Sequence, residues 1–493
     1  MRPKQKTMEE SYLHDDRTVS DSHAEALGIV SSDNEGRVTY DGLMNAILDD
    51  GNIDTALKQV VSNRGAPGVD GMTVQELRDG SPAMRGSLKD SIRTGKYRPS
   101  PVRRVEIPKP DGGTRDLGVP TAKDRLVQQM IAQILVPIFD PMFSESSFGF
   151  RPGRSAHDAI QRVKELYDDG YVVAVSIDLS KYFDTIPQDN LMREIRKTVR
   201  DMSVTDLVKR FLKSGVAMPD GLTHPTEEGS PQGGPLSPLL SNIYLDRFDR
   251  ELERRGLHFV RYADDCTIYV RTPRAAERVM ETCTKYLEDV LRLKVNRQKS
   301  AIGSPMELKY LGFRLMKLKD GMVWMAPHEG SVKRFKAKIR SMTKRHRGTS
   351  VKVIVDELRR YMRGWSAYFE IGPGLTFFDG LDGWVRRRVR AILLVQWKTP
   401  KNRQKQFNRI GHLNRKGRRW DFVKGISYKK HVWASSMAPT INSVLNNENL
   451  REETGMYYMA DDWTKVQARF PRSPLRSRTV GSVGGRQSTL FDF

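Results

Sequence analysis

Cysteine is scarce in this chain of 493 residues, which contains only Cys266 and Cys283. Two thiols are too few for a disulfide framework or a four-thiolate zinc site, so we expect two reduced thiols in apolar surroundings. Long apolar runs are missing as well. No stretch approaches the ~20 residues that a membrane-spanning helix needs, and residues 1–17 mix acids and bases without an apolar core. These absences predict a soluble intracellular protein.

Acidic residues are outnumbered: 60 Asp and Glu face 83 Lys and Arg, which leaves a formal charge of +23 and a pI near 9.9. Such an excess of positive charge implies a polyanionic partner. Nucleic acid is the first candidate. A membrane surface is the rival, and the lack of an apolar span or leader weakens it.

Two adjacent carboxylates lie in a predicted strand-turn-strand segment. Tyr262-Ala-Asp-Asp265 separates the apolar runs 257–260 and 267–270, and side-by-side carboxylates repel each other unless a cation offsets their charge. An Asp-Asp pair alone is also common in solvated turns. A third acid strengthens the signal, because the β-branched run 171–178 ends in Asp178. Three carboxylates from two strands can hold two Mg²⁺ ions about 4 Å apart for nucleotidyl transfer.

The segments around these acids resemble three reverse transcriptase motifs in their usual order. They are motif A at Asp178 and Phe183, motif B at 229–246 (beginning Gly-Ser-Pro-Gln-Gly-Gly-Pro-Leu-Ser) and motif C at 262–265. The resemblance implies an α+β right-hand polymerase fold, with fingers and palm followed by an α-helical thumb and a small basic C-terminal domain.

Further segments resemble group II intron-encoded reverse transcriptases and maturases in particular. They are the N-terminal block at 63–71, fingers at 107–120, the block at 147–155, motif D at 293–300, the primer-grip hairpin at 310–313, and thumb or maturase segments at 364–369 and 381–388. Many such proteins end in a His-Asn-His endonuclease domain braced by cysteine pairs, so the cysteine count indicates the form lacking that domain. A protein of that form would need its primer from elsewhere, such as a nascent strand at a replication fork.

Composition, periodicity and the resemblance together divide the chain into six predicted segments. They are a disordered tail at 1–39, an N-terminal extension of the reverse transcriptase at 40–100, fingers and palm at 101–325, a thumb or maturase domain at 330–398, a basic DNA-binding-like domain at 399–465, and a flexible tail at 466–493. Apolar residues at helical spacing predict three helices at 331–347, 350–370 and 377–398. The basic domain suits phosphate contacts and base stacking; an ordinary helical domain with a solvated basic face is the alternative.

The resemblance also implies roles for single residues. The metals would be held by the carboxylates of Asp178, Asp264 and Asp265 and by Leu179. Lys299 would protonate the pyrophosphate leaving group, although a surface lysine is the alternative. The incoming nucleotide would contact Lys109, Arg115, Phe183 and Gln232. Nucleic acid would contact Arg151, Arg154, Gly233, Tyr262, Arg386 and Arg387.

Side-chain size and charge give a physical reason for three of these roles. The ring of Phe183 would pack beneath the incoming sugar and exclude a 2′-hydroxyl; a core phenylalanine is the alternative. Lys109 and Arg115 flank a glycine turn, where a hairpin would bring two cations over the triphosphate; two solvated loop charges are the alternative. Gly233, which has no side chain, would let the backbone approach the nascent base pair.

The end of the chain carries a separate signal. Gln487-Ser-Thr-Leu490-Phe491 resembles the short peptide by which bacterial proteins dock on the replicative sliding clamp. Gln487 would enter a polar pocket, and Leu490 with Phe491 would enter an apolar one. A chance apolar chain end is the alternative.

Together these features predict an RNA-directed DNA polymerase that also binds its group II intron RNA to promote splicing and mobility. It would use two Mg²⁺ ions, take deoxynucleoside triphosphates as substrates, and act on an RNA template with a DNA primer or target. We expect a cytoplasmic, nucleoid-associated bacterial protein, monomeric or dimeric. Two alternatives stay open: a related reverse transcriptase recruited to host DNA repair, immunity or CRISPR spacer capture, and a non-enzymatic RNA-splicing cofactor.

Overall fold

Two compact units make up the protein, Met1–Leu311 and Gly312–Phe493. The computed structural model describes residues 30–32, 38–108, 113–218, 222–231, 233–318, 321–345, 347–372, 374–411 and 424–469. Helices make up 57% of the residues that the structure describes, and sheets are also present, so the fold mixes α and β structure, as predicted. No described helix is both long enough and apolar enough to cross a membrane.

The first unit contains ten described strands. They are β1 (Val30–Ser32), β2 (Val38–Tyr40), β3 (Val102–Pro108), β4 (Thr114–Val119), β5 (Val173–Ile177), β6 (Val216–Ala217), β7 (Thr223–His224), β8 (His258–Tyr262), β9 (Asp265–Val270) and β10 (Ala301–Gly303). Four of them form a central antiparallel sheet in the order β10-β5-β9-β8. A second sheet has the order β4-β3-β6-β7, in which β3 and β4 form an antiparallel hairpin.

Ten α-helices of the first unit are described. They are α1 (Leu43–Ile47), α2 (Asp50–Ser62), α3 (Val74–Arg93), α4 (Ala122–Phe139), α5 (Ala156–Asp168), α6 (Tyr182–Thr185), α7 (Gln188–Thr198), α8 (Met202–Leu212), α9 (Ser237–Arg254) and α10 (Pro273–Lys285). Side-chain caps set several starts: Thr73 with Glu76, and Ser155 with Asp158, form capping boxes. One continuous apolar core joins these helices to the central sheet, with α10 packed on β5 and β9.

The second unit is mainly helical. It contains the hairpin of β11 (Phe313–Lys317) and β12 (Val323–Pro327), followed by α11 (Glu329–Met342), α12 (Val351–Phe369), α13 (Leu375–Gln396), α14 (Pro400–Gly411), α15 (Lys424–Ser427), a 3-10 helix (Val432–Met437), α16 (Pro439–Val444), α17 (Asn447–Thr454) and α18 (Met459–Arg469). These helices share a separate apolar core centred on residues such as Phe335, Phe378 and Phe407, all fully buried. The helices predicted at 331–347, 350–370 and 377–398 correspond to α11, α12 and α13.

Two predictions can be compared directly with the structure. Both cysteines are buried and free, as expected. Most of the tail predicted as disordered over 1–39 lies outside the described residues, and within its described part β1 pairs with β2 in an antiparallel hairpin. The Tyr40 carbonyl at the end of β2 also accepts a hydrogen bond from the Arg200 N–H at 2.8 Å. This bond connects the hairpin to the segment that follows α7. Short strands of this kind lack enough residues to show a clear alternation of apolar and polar positions.

Candidate active site

The predicted hairpin at Tyr262-Ala-Asp-Asp265 is present. β8 ends at Tyr262 and β9 begins at Asp265, and these two residues pair across the hairpin. The turn therefore consists of Ala263 and Asp264. Ala263 is buried and has a φ of 56°, in the left-handed region that residues with a Cβ seldom adopt. The surrounding structure must hold such a turn in place.

Asp178 lies directly beyond the end of β5, beside this hairpin. The antiparallel register pairs Ile177 with Cys266, and continuing it by one residue places Asp178 opposite Asp265. Two hydrogen bonds fix the Asp178 backbone. Its N–H donates to the Ser300 hydroxyl at 3.1 Å, and its carbonyl accepts the Asn296 N–H at 2.8 Å. The three predicted acids are thus brought together at one end of the central sheet.

The charges of these acids act on one another. Burial raises the pKa of Asp264, and the nearby charge of Asp178 adds to the rise. Burial, followed by the charges of Asp264 and Asp178, raises the pKa of Asp265 to about 6. Asp265 keeps solvent-accessible surface at the hairpin end, and there the repulsion between the carboxylates adds to the effect of the surrounding protein. A divalent cation would remove this repulsion.

Within the described residues, no group of three or more His, Cys, Asp or Glu side chains is already arranged to hold a metal ion. The chemistry of the donor set nevertheless fits Mg²⁺, which binds carboxylate, carbonyl and water oxygens. Leu179, whose carbonyl is the predicted fourth ligand, directly follows Asp178 and is bridged to Val295.

The predicted nucleotide-binding hairpin contributes one cation to this region. Arg115 lies in β4, paired with Ile107 of β3. Its positive charge opposes the rise in the pKa of Asp264, so the guanidinium interacts electrostatically with this acid. Lys109, its predicted partner, lies outside the described residues.

Two lysines act on Asp265 in the same way. The charges of Lys309 and Lys299 both oppose the rise in its pKa, and Lys309 has the larger effect. Lys299 is a predicted site residue, whereas sequence reasoning missed Lys309. The only available signal was its place next to the recognised segment that starts at Tyr310. The Tyr310 hydroxyl donates to the Val260 carbonyl of β8 at 3.2 Å, which holds this segment beside the hairpin.

A buried arginine holds the hairpin turn. Arg261 in β8 has no exposed surface, and its guanidinium binds both carboxylate oxygens of Asp249 in α9 at 2.5–3.0 Å. The remaining nitrogen donates to Asn242 Oδ1 and to the Ala263 carbonyl, both at 2.9 Å. Burial opposes the charge, but Asp249 outweighs it and raises the pKa of Arg261. Sequence reasoning missed this network, whose only signal was a charged residue in an apolar strand.

The segment 147–150 closes on the same turn. It runs beside Arg261, with a parallel bridge from Ser147 and a 2.8 Å hydrogen bond from the Phe148 N–H to the Arg261 carbonyl. A Cβ at Gly149 would lie 2.2 Å from the backbone nitrogen of Ala263. Only glycine fits so close an approach.

The segment that resembles motif B lies against the one that resembles motif A. Gly229 has a φ of 85°, and a Cβ there would lie 2.7 Å from the carbonyl oxygens of Phe183 and Asp184. The Ser230 N–H donates to the Phe183 carbonyl at 2.7 Å. The Phe183 ring is half-buried, with its centroid 5.4 Å from that of Tyr182. The two segments therefore meet at Phe183.

The next glycines fit tightly against the protein itself. At Gly233, which has a φ of 131°, a Cβ would lie 2.4 Å from the Gly118 carbonyl oxygen. At Gly234 it would lie 2.1 Å from the side-chain oxygen of Gln128. Packing within the fold is thus sufficient reason for these glycines, and the nucleic-acid contact of Gly233 stays a prediction. Gln232 lies outside the described residues.

Arg151 is bonded entirely within its own loop. Its side chain is 3% exposed, and its guanidinium donates to the Asp140 carboxylate and to the carbonyls of Asp140, Ser144 and Ser147. These bonds occupy all three guanidinium nitrogens, which leaves no accessible donor for a template phosphate. Arg151 therefore stabilises its loop, and its nucleic-acid contact stays a prediction for which the structure shows no free side-chain donor.

Arg154 is also engaged within the loop, though less completely. It donates to the Glu145 carbonyl at 2.7 Å, pairs with the Glu145 carboxylate and lies over the Phe148 ring. Its side chain keeps 20% exposure. A phosphate contact here would compete with an existing ion pair.

The predicted arginines of the second unit differ from each other. Arg386 in α13 pairs with Asp379 at 3.4 Å and lies over the Tyr458 ring. Arg387 is exposed and has no ion pair among the described residues. The predicted clamp-binding residues, Gln487, Leu490 and Phe491, lie outside the described residues.

Two family models match this chain. The first is the reverse transcriptase (RNA-dependent DNA polymerase) family, over residues 107–315, and the second is the group II intron maturase-specific domain, over 332–420. Protein YkfC of Escherichia coli is 35% identical over 303 residues, which cover 53% of this chain and 79% of YkfC. The chain belongs to the group II intron reverse transcriptase and maturase family. No endonuclease family matches it.

Relatives of this reverse transcriptase include intron-encoded proteins. LtrA of Lactococcus lactis is 35% identical over 214 residues, which cover 42% of this chain and 34% of LtrA. The putative COX1/OXI3 intron 1 protein of Saccharomyces cerevisiae is 37% identical over 182 residues, covering 37% of this chain and 22% of that protein. The match therefore spans only about a third or less of these two relatives. A chain of the partial Cas6-RT-Cas1–Cas2 complex has a TM-score of 0.33 at 22% identity, covering 52% of this chain and 44% of that one; this likeness is too weak to argue from.

Proposed function

We propose that this protein copies RNA into DNA at the end of the central sheet, and that it serves a group II intron whose RNA it binds for splicing and mobility. The meeting of Asp178, Asp264 and Asp265 at one sheet end supports the first part. The maturase-specific domain supports the second. In this proposal the central sheet is the palm, the β3–β4 hairpin belongs to the fingers, and α11 to α13 form the thumb.

The three carboxylates and the Leu179 carbonyl would hold two Mg²⁺ ions. When bound, such ions lower the pKa of the primer 3′-hydroxyl and offset the triphosphate charge. The protein holds the acids ready, since the backbone bonds of Asp178 and the Arg261 network fix both strands. Pre-positioned ligands of this kind reduce the reorganisation that a reaction requires.

Basic and aromatic groups would act on the nucleotide. Arg115 would offset the charge of the triphosphate, because its guanidinium already acts on Asp264. Lys299 would donate a proton to the leaving pyrophosphate, with Lys309 as a second cation beside it. The half-buried ring of Phe183 would lie under the sugar and disfavour a 2′-hydroxyl.

Primer extension on a poly(rA)/oligo(dT) template with Mg²⁺ tests the polymerase proposal. We expect extension by the wild type and a loss of at least ~1,000-fold in Asp264→Asn, because a metal ligand is removed. Asp289→Asn is the matched control, since Asp289 is an exposed carboxylate outside the site. Equal extension by Asp264→Asn and wild type would refute the assignment of these acids.

A splicing assay on intron precursor RNA tests the maturase proposal separately. Asp264→Asn should retain the wild-type stimulation of splicing, because the substitution keeps the side chain's size and lies outside the maturase-specific domain. If the wild type binds precursor RNA without speeding its splicing, the maturase role is rejected while the polymerase role stands.

The sliding clamp is a further proposed partner, through Gln487, Leu490 and Phe491. A fluorescent peptide of residues 481–493 should bind purified bacterial clamp, and the Leu490→Ala, Phe491→Ala peptide should bind at least ~10-fold more weakly, because the apolar anchors are lost. Equal binding of both peptides would remove the clamp from the list of partners.

A further inference from the structure

A cavity of about 360 Å³ lies within the second unit. Its wall is formed mainly by Arg345, Trp384, Arg387, Arg388 and Trp433. Such a volume is at the lower end of the range for small-ligand pockets, ~300–1,000 Å³. The cavity is therefore sized for one nucleotide rather than for a duplex.

The positive charge around the cavity has no counter-charge in the described part of the chain. None of Arg345, Arg387 and Arg388 forms an ion pair with a described carboxylate, whereas nearby Arg347 pairs with Glu357 at 2.7 Å. Burial and neighbouring positive charges lower the pKa of Arg388. Those charges belong to Arg340, Arg345 and Arg387. Like charges held together without a partner favour an anionic ligand.

Flat surfaces accompany the charge. The Arg345 guanidinium lies 3.6 Å from the centroid of the Trp433 ring, and Trp433 keeps 36% of its surface exposed. Elsewhere in the cavity wall, Arg388 lies 5.4 Å from the centroid of the Trp384 ring. Its Nε donates to the Thr343 hydroxyl at 2.5 Å, which fixes the guanidinium at the cavity wall. Aromatic rings and guanidinium planes are surfaces on which nucleobases stack.

We propose that this cavity binds an unpaired nucleotide of single-stranded nucleic acid, with the base stacked on the Arg345–Trp433 pair and the flanking phosphates at Arg387 and Arg388. Both features are needed for the assignment. A duplex presents no free base face to the cavity, and the Asp and Glu side chains of an acidic peptide have no aromatic face to stack. The inference rests on the proposed function only in taking nucleic acid as the ligand. The proposed site would bind a base independently of the polymerase carboxylates.

Fluorescence polarisation of the full-length protein tests the proposal. The probes are a labelled 12-nucleotide oligo(A) as RNA, the same sequence as DNA, and the corresponding duplexes. Trp433→Ala should weaken single-strand binding about 10-fold, because one base loses its stacking surface, and Trp433→Phe should restore most of it. Arg387→Glu should weaken binding and reduce the slope of log affinity against log salt by about 0.7, because one phosphate contact is lost.

Two control variants separate the cavity from the general basic surface. Tyr428→Ala removes an aromatic that is 61% exposed and does not line the cavity, and Lys352→Ala removes an exposed cation elsewhere on the unit. Both should bind single strands as the wild type does. If Trp433→Ala weakens binding no more than Tyr428→Ala, or if duplex binding falls as much as single-strand binding, the proposal is overturned. Thermal unfolding of each variant separates a binding defect from misfolding.

Photocrosslinking supplies an independent readout. An RNA 12-mer with one 4-thiouridine should crosslink to peptides containing Trp384 or Trp433, and poly-glutamate should not compete. Crosslinks confined to other peptides, or competition by poly-glutamate equal to that of unlabelled RNA, would reject the site.

Primer extension measured on the same samples distinguishes the cavity proposal from the polymerase proposal. If the wild type crosslinks at the cavity but does not extend the primer, only the polymerase proposal is rejected. If it extends the primer but does not crosslink at the cavity, only the cavity proposal is rejected. Comparing RNA with DNA probes identifies which strand the cavity prefers.

Discussion

Arginine serves two contrasting purposes in this protein, at the hairpin turn of the first unit and around the cavity of the second. Arg261 has no exposed surface, and Asp249 matches its charge while Asn242 and the Ala263 carbonyl accept its remaining donor. Arg387 is exposed and unpaired among the described residues. Charge that is neutralised inside the fold fixes the backbone, whereas charge without a partner is available to a ligand.

The largest expected effect would come from removing Arg261, the arginine whose charge is neutralised inside the fold. Arg261→Met leaves Asp249 buried without a partner, so we expect a loss of about 3–5 kcal/mol in the free energy of unfolding. Urea unfolding followed by circular dichroism measures this loss. The same substitution at the cavity, Arg387→Met, should change stability by less than ~0.5 kcal/mol.

A double variant separates stability from turn position. Arg261→Met with Asp249→Leu removes both buried charges and should recover most of the stability. The kcat for primer extension should stay at least ~10-fold low, because the bond to the Ala263 carbonyl is still missing. Recovery of wild-type kcat would show that Arg261 serves folding alone.

A smaller effect is expected from a substitution that adds atoms directly against the turn at Ala263. Gly149→Ala places a Cβ 2.2 Å from the Ala263 nitrogen, so we expect about 1–3 kcal/mol of destabilisation and a fall in kcat with little change in KM for nucleotide. Gly80→Ala is the matched control. Gly80 lies inside α3 with nothing within 4 Å of its added Cβ, so the change should stabilise the helix by about 0.5–1 kcal/mol. Equal kinetics in the two variants would contradict the role of Gly149.

The smallest effect concerns a buried carboxylate that forms no ion pair within the described part of the chain. Asp382 in α13 is fully buried and accepts the Ala460 N–H at 3.0 Å, and burial raises its pKa to about 7. A raised pKa contributes stability below about pH 4, which is lost as the pH rises through 7. The second unit should therefore be less stable at pH 8 than at pH 5, by about 1 kcal/mol or more.

Tryptophan fluorescence can follow this unit alone, because all seven tryptophans lie at or beyond Trp324. The free energy of unfolding should be compared between pH 5 and pH 8 for the wild type and Asp382→Asn. The variant should lose most of the pH dependence, since Asn does not titrate. An unchanged pH dependence in Asp382→Asn would assign the effect to other groups.

The sequence predicted three of the four strands of the central sheet, β5, β8 and β9, because they carry strong local signals, whereas the three-residue β10 was not predicted. Residues 171–178 and 267–270 are β-branched or apolar runs bounded by turn residues, and they correspond to β5 and β9. The α11, α12 and α13 helices were predicted for the same reason, from apolar residues at helical spacing. Local patterns of this kind do not depend on which distant segment the element contacts.

The side-chain contacts that sequence reasoning missed depend on residues that are distant in the chain. Arg151 lies in a glycine- and arginine-rich loop typical of phosphate binding, and nothing in that loop reveals that Asp140 and three carbonyl groups occupy its guanidinium. The partner of Arg261 lies 12 residues away in a different element. Lys309 reaches Asp265 only through the tertiary fold.

The contact between Gly149 and Ala263 also constrains how this enzyme can evolve or be redesigned. A larger residue in the second position of the Tyr-x-Asp-Asp box would have to be accommodated beside the backbone of a segment more than a hundred positions earlier in the chain. Positions 149 and 263 should therefore vary together, and the effect of a substitution at one should depend on the residue at the other. Grafting a different box from another polymerase will succeed only if the Phe-Gly-Phe segment is transferred along with it.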